Sequence, residues 1–134
     1  MGDDMTTTKT GKISSFTDLH AWQEAHQFVT LLYETTNSFP VSEQFGLTNQ
    51  LRRCGVSVVS NIAEGFSRRT KKDKTYFYTV ALGSVTEVQS QLLVARDVGF
   101  MEEEEFNKLA DKINTTKKLI GGLIKSAETK GDEL

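Results

Sequence analysis

Four long segments of this chain repeat their apolar residues every three or four positions, and this spacing predicts an all-α fold. The last segment keeps the pattern without a break through Phe106, Leu109, Ile113, Thr116, Ile120, Leu123 and Ala127. Strand-like alternation is sustained nowhere, and Pro40 is the one proline in the chain. A length of 134 residues suits a single domain with its own core.

Start and stop signals separate the four segments. Pro40 ends the first, because a residue before proline is pushed out of helical geometry. Thr70 with Asp73 resembles a capping box that starts the third, and Gly99 is placed as its left-handed C′ residue. Because the connections are short, neighbours should pack antiparallel in an up-down-up-down four-helix bundle. The predicted helices span residues 18–37, 45–66, 71–98 and 102–127.

The first predicted helix places a histidine on its apolar stripe. That stripe comprises Leu19, Trp22, His26, Val29, Tyr33 and Thr36, with Ala25, Phe28 and Leu32 beside it. We therefore predict that His26 is a hydrogen-bonded core residue rather than a ligand or a base. His20 is six positions away and falls on a different face of the helix, so the two histidines do not form one site.

Catalytic patterns are missing from the sequence. A di-iron bundle needs Glu-x-x-His on two of its helices, and this motif does not occur. Gly121-Gly122 lacks the lysine and serine of a phosphate-binding loop. Cys54 is typical of a small buried residue, and Trp22 and Tyr76-Phe77-Tyr78 are predicted to pack rather than to stack on bases. We predict no catalytic residue, no metal and no cofactor, and hence a protein that is not an enzyme.

The composition fits a cytoplasmic protein. A single cysteine excludes an intrachain disulfide, which is typical of a reducing compartment. Residues 1–15 are polar and lack an apolar signal core. No run approaches the roughly 18 apolar residues of a membrane span, so we predict no membrane partner. Residues 16–128 are assigned to the bundle, and residues 1–15 and 129–134 to flexible tails.

Basic residues are concentrated in the middle of the chain. The segment from Gln50 to Thr75 carries a net charge of +5, whereas the whole chain carries −2. One interpretation is a solvated turn, partly neutralised by Glu64 one helical turn from Arg68. The other is a surface that contacts the phosphates of RNA or DNA. The residues leave both open, and the candidates are Arg52, Arg53, Arg68, Arg69, Lys71, Lys72 and Lys74.

Small residues interrupt the second and third helices. They are Gly55, Ser57, Ser60 and Gly65 in the second helix, and Gly83 and Ser84 in the third. A glycine inside a helix costs about 1 kcal/mol relative to alanine, so we expect another backbone to approach closely. We predict that Gly83-Ser84 faces the second helix or another subunit. One intramolecular contact does not explain the whole set, which favours a homo-oligomer.

Several motifs together resemble the bacterial four-helix-bundle family of large-subunit rRNA intervening-sequence proteins. The matching motifs are Phe16-x-x-Leu19-x-x-Trp22-x-x-Ala25, Phe39-Pro40, Phe45-Gly46-Leu47-x-x-Gln50-Leu51-Arg52-Arg53, Ser57, Asn61-Ile62-Ala63-Glu64-Gly65 with the Arg-rich turn after it, and Ala81-x-Gly83-Ser84-x-x-Glu87. The resemblance covers residues 16–127. It departs at Cys54-Gly55, where small alanines are usual, and at Val59, where proline is frequent, and these changes affect packing more than charge.

The resemblance implies a left-handed antiparallel bundle that forms a homo-oligomer, a ring of five in known members. Some members are encoded within sequences inserted in large-subunit rRNA genes, and a structurally similar accessory protein of diversity-generating retroelements binds a reverse transcriptase and nucleic acid through basic surfaces. Carried over to this chain, the candidates are Arg52, Arg53, Asn61, Glu64, Arg68 and Arg69. For Asn61 and Glu64 we favour a structural hydrogen-bond network. The alternative function is a protein-interaction module or accessory scaffold without a nucleic-acid role.

Overall fold

The structure, a computed structural model, describes residues 12–129. That part of the chain contains no strand and forms four helices: α1 His20–Thr36, α2 Leu47–Ser67, α3 Lys71–Asp97 and α4 Glu103–Thr129. Each helix packs against the next, and α4 packs back against α1. The predicted up-down-up-down four-helix bundle is therefore confirmed. Its left-handed sense stays a prediction. Of the predicted tails 1–15 and 129–134, residues 1–11 and 130–134 lie outside the described residues.

Both ends of α3 use the residues that the sequence singled out. The Thr70 hydroxyl accepts a hydrogen bond from the Asp73 amide at 3.1 Å, which caps the helix start. Gly99 has a φ of +88°. Its amide donates to the Arg96 carbonyl at 3.1 Å, and the Phe100 amide donates to the Ala95 carbonyl at 2.9 Å. These two bonds form a Schellman motif that turns the chain toward α4.

The helix α1 begins two residues later than predicted. Ser15 and Asp18 form a capping box around a single 3-10 turn, Phe16–Asp18, and Leu19 then adopts an extended conformation before the α-helix starts. Leu19 is buried, and Ile13 also packs against the core. The described residues just before the bundle are thus anchored to it by capping and by apolar contacts.

The core-facing side of α1 differs from the predicted stripe. The helix buries Ala21, Ala25, Phe28 and Leu32, whereas His26 is exposed and its ring stacks on Trp22 at a centroid distance of 4.9 Å. The prediction that His26 is a core residue is therefore wrong. At 3.6 residues per turn, a face centred on Ala25 and Phe28 turns position 26 toward solvent.

The helix α4 buries the residues that its periodicity predicts. Six of the seven stripe residues of α4 are buried, and Phe106 is half-buried. The largest fully buried side chains come from all four helices: Phe28, Leu32, Leu51, Ile62, Leu92, Leu109, Ile113 and Ile120. One continuous core therefore runs the length of the bundle and fixes the positions of the helix ends.

Candidate nucleic-acid interface

The seven basic candidates form two groups at opposite ends of α2. Arg52 and Arg53 lie in the second turn of this helix, whereas Arg68 follows its last residue. Arg68 comes sixteen positions after Arg52, which corresponds to about 24 Å at 1.5 Å per residue. The basic segment of the sequence is therefore not one continuous patch. We call the group formed by Arg68, Arg69, Lys71, Lys72 and Lys74 the basic turn.

Arg52 is bound to the end of α1. Its Nε donates to the Thr36 hydroxyl at 2.9 Å, and its Nη2 donates to the Asn37 side chain at 3.1 Å and to the Tyr33 carbonyl at 3.3 Å. The guanidinium also lies over the Tyr33 ring, 4.6 Å from its centroid. These contacts use most of the donors of Arg52 to hold α1 and α2 together.

Arg53 points away from the bundle. It is exposed and lines an open groove with Tyr33, Asn49 and Val56. Within residues 12–129 its guanidinium makes no hydrogen bond or ion pair. It remains a candidate for contacting a ligand, but it lies at the far end of α2 from the basic turn.

The basic turn is built by the end of α2 and the start of α3. Arg68 leaves the helix in an extended conformation, and Thr70 caps α3 two residues later. The guanidinium of Arg68 pairs with the Glu64 carboxylate at 2.5 Å and lies 4.7 Å from the centroid of the Phe77 ring. Glu64 thus partly neutralises the turn, as the first interpretation of the sequence expected.

Lys74 closes the end of α2. Its Nζ donates to the Phe66 carbonyl at 3.0 Å and to the Gly65 carbonyl at 3.3 Å. Carbonyls in the last turn of a helix lack partners within that helix. A lysine ammonium group donates hydrogen bonds to them, and its positive charge is favourable at the negative end of the helix dipole. Lys74 is therefore a structural residue in this turn.

Arg69, Lys71 and Lys72 remain at the tip of the turn, and all three are exposed. In the described part of the chain, Arg69 and Lys72 make no ion pair or hydrogen bond. Exposed cations that need not be released from a partner can be neutralised by an incoming anion at little cost. Arg69 and Lys72 therefore present charge that is available to a polyanion.

The small residues contact different neighbours. A Cβ at Gly55 would meet Leu32 and Val29 of α1, and a Cβ at Gly65 would meet the ring of Tyr78 on α3. Gly83 is exposed, with nothing within 4 Å of its Cβ position. Close approach within one chain thus accounts for Gly55 and Gly65, and it leaves Gly83 free for an external contact.

A small polar network links α2 and α3 at mid-height. The hydroxyls of Ser57 and Ser84 are 2.8 Å apart. The side-chain amide of Asn61 donates to the Ser57 backbone carbonyl at 2.8 Å and to the Ser57 hydroxyl at 3.0 Å. Ser84 therefore faces α2. Glu64 takes no part in this network among the described residues, because its carboxylate pairs with Arg68.

Sequence reasoning missed one exposed aromatic residue beside the basic turn. The sequence predicts that Tyr76, Phe77 and Tyr78 all pack. Tyr78 is buried and Phe77 is half-buried under Arg68, but Tyr76 is 61% exposed, so the prediction is wrong for Tyr76. The helical period contained this signal, since position 76 lies opposite the buried stripe through Tyr78, Ala81 and Val88.

Cys54 lacks the surroundings of a nucleophile. Burial raises the pKa of the Cys54 thiol, and the charge of Glu87 raises it further. The thiol is therefore protonated at neutral pH. In residues 12–129, no three His, Cys, Asp or Glu side chains gather into a potential metal site. None of the four described helices is both long enough and apolar enough to cross a membrane.

The fold and the tip together define a four-helix bundle that presents exposed cations at one end. The family described as 23S rRNA-intervening sequence protein matches residues 17–122. This chain belongs to that family. No curated protein matches it.

A solved structure shows the same fold. It is a protein with unknown function from the S23 ribosomal protein family of Bacteroides thetaiotaomicron, with a TM-score of 0.69. The sequences are 21% identical, and the match covers 78% of this chain and 95% of the other. At this identity the comparison bears on the fold alone.

Proposed function

We propose that this chain is a cytoplasmic, non-enzymatic, self-associating bundle that binds RNA or DNA through its basic turn. The observation that supports binding is the pair Arg69 and Lys72, both exposed and without an ion-pair partner in the described chain. Their neighbour Lys71 is exposed as well. A family connected with rRNA intervening sequences fits a polyanionic ligand.

The residues of the basic turn would have two roles, stabilising the turn and contacting phosphates. Arg68 and Lys74 stabilise the turn through Glu64 and the carbonyls at the end of α2. Arg69, Lys71 and Lys72 would contact phosphates, which provide affinity without sequence preference. Repetition of the turn around an oligomer would raise the effective concentration of the second contact after the first forms.

A salt titration with charge-reversal variants tests the proposal. The full chain is titrated against a fluorescent structured RNA and a DNA of equal length at several KCl concentrations. Arg69→Glu with Lys72→Glu should weaken binding at least tenfold and lower the slope of log affinity against log salt by one to two. The control is Lys108→Glu with Lys118→Glu, which makes the same charge change on the exposed side of α4.

The proposal fails if neither nucleic acid binds, or if the two double variants behave alike. An affinity that is independent of salt would also contradict it, because phosphate contacts release counterions.

A protein-contacting role has its own support at the opposite end of the bundle. Val41 and Phe45 are 83% and 86% exposed in the connection between α1 and α2, and Val94 and Val98 are exposed at the end of α3. The Phe39 and Phe100 rings are 5.7 Å apart, which ties these two connections together. Apolar residues gathered at one end are typical of an interface.

We propose a second copy of this chain as the partner at that end, in the pentamer that the family resemblance implies. Sedimentation equilibrium at micromolar concentration should give a mass several times the 15.0 kDa of one chain. Phe45→Ser should shift the mass toward the monomer, while the exposed Thr79→Ser on α3 should not. A monomeric wild type would overturn self-association, and an unchanged Phe45→Ser assembly would overturn this surface as its site.

A further inference from the structure

The outer side of α3 continues from the basic turn as a line of exposed residues. Lys72, Tyr76, Thr79 and Gly83 follow one another at spacings of four, three and four, so they lie along one face of the helix. All four are exposed. The line therefore leads from an available cation, past an aromatic ring, to two small residues.

Tyr76 is the unusual member of this line, because 61% of a large aromatic side chain faces solvent. Its ring meets the Phe77 ring edge-on, with centroids 5.0 Å apart and planes at 84°. Phe77 is in turn covered by the Arg68 guanidinium. This chain of contacts holds the Tyr76 ring beside the basic turn without burying it.

The residues beyond Tyr76 leave its surroundings open. Gly83 has nothing within 4 Å of its Cβ position, and Thr79 is small and exposed. Lys72 lies one helical turn from Tyr76, about 6 Å along the axis. A phosphate can therefore contact Lys72 while a flat apolar group packs against Tyr76.

We propose, resting on the nucleic-acid binding argued above, that the basic turn takes single-stranded nucleic acid and that Tyr76 stacks on one of its unpaired bases. Cations that follow a backbone and an aromatic ring that receives a base are the two elements of single-strand binding. A duplex offers phosphates to Arg69 and Lys72, but its bases are stacked on one another and cannot reach Tyr76. The strand thus gains a contact that the duplex lacks.

Binding of the full chain to U20, dT20 and a 20-base-pair RNA duplex tests this inference. U20 or dT20 should bind at least fivefold more tightly than the duplex. Tyr76→Leu should weaken single-strand binding by about 5- to 150-fold, and Tyr76→Phe should retain it. Tyr76→Leu should leave duplex affinity and the salt slope unchanged, because it removes no phosphate contact.

The inference is overturned if Tyr76→Leu binds single strands as the wild type does, or if the duplex binds more tightly. In both cases the charge-reversal variant of Arg69 and Lys72 would still weaken binding, so the basic turn would stand as the nucleic-acid site. Absence of binding to all three probes would instead remove the proposed function itself. Thermal unfolding of Tyr76→Leu verifies that the exposed substitution leaves the fold intact.

Discussion

The ring of Tyr78 lies so close to the backbone of Gly65 that a Cβ on Gly65 would be 2.5 Å from the ring atom Cε1. Gly65 belongs to the last turn of α2, and Tyr78 to the second turn of α3. Their contact lets the two helices approach each other immediately beside the basic turn. The position of the turn therefore depends on the absence of a side chain at position 65.

Replacement of this glycine should destabilise the protein although alanine is the better helix former. Gly65→Ala should lower the free energy of unfolding by about 1–3 kcal/mol, because the buried Tyr78 ring must shift. Gly83→Ala is the matched control, since its Cβ would enter open space on α3 and should raise stability by up to about 1 kcal/mol. Urea denaturation measures both, and a stabilising Gly65→Ala would contradict the contact.

The two adjacent arginines of α2 should differ in their effect on stability. Arg52→Met should lower the free energy of unfolding by about 1–2 kcal/mol, because the bonds to Thr36, Asn37 and Tyr33 are lost. Arg53→Met should change it by less than about 0.5 kcal/mol, since this side chain is exposed. Equal midpoints of thermal unfolding for the two variants would show that the bonds of Arg52 contribute nothing.

The hydroxyls of Ser57 and Ser84 should be energetically coupled. A double-mutant cycle of Ser57→Ala and Ser84→Ala should give a coupling energy of about 0.5–1.5 kcal/mol in urea unfolding, because each serine satisfies the other. Ser60 lies on the exposed side of α2, so a cycle of Ser60→Ala with Ser84→Ala should give none. A coupling energy near zero in the first cycle would show that the Ser57–Ser84 hydrogen bond does not stabilise the contact between α2 and α3.

The ionisation of Tyr78 should make stability fall at high pH. Burial raises the pKa of Tyr78 to about 12, from an ordinary value near 10. Below pH 10 both the folded and the unfolded chain keep the proton. As pH rises from 10 to 12 the unfolded chain releases it first, so the free energy of unfolding falls by about 2 kcal/mol.

Urea denaturation of the wild type and Tyr78→Phe between pH 8 and pH 11.5 isolates this effect. The difference in free energy of unfolding between the two proteins should be constant up to about pH 9.5. Above that pH the wild type should lose stability relative to Tyr78→Phe. The Tyr78→Phe variant has no phenol at position 78, and the other titrating groups contribute equally to both proteins. Parallel curves over the whole range would contradict a buried Tyr78.

The helices and their ends could be predicted from the sequence because the responsible contacts are local. The Thr70 cap and the left-handed Gly99 involve residues at most a few positions apart, and both are found as predicted. On α1, the sequence predicted the helix but misplaced the centre of its buried face by part of a turn. His26 is aromatic enough to suggest burial, yet it is exposed and stacks on Trp22, which is half-buried against the core.

The candidate site could be predicted only as a list of residues. The sequence gathered Arg52 and Arg68 into one basic segment, but a rigid α2 holds them about 24 Å apart. It also contained no sign that Arg52 bonds to Thr36, sixteen residues earlier, or that Lys74 caps α2. Such contacts depend on how two helices meet, and charge alone does not encode them.

By itself, then, the sequence determined four amphipathic helices, their antiparallel order and the family to which they belong, because periodicity, capping and short connections act over a few residues. Only the tertiary structure decided which cations stabilise the bundle and which remain at the tip with Tyr76. That division depends on side chains brought together from different helices, where Glu64, Phe77 and the carbonyls at the end of α2 engage Arg68 and Lys74 and leave Arg69 and Lys72 exposed.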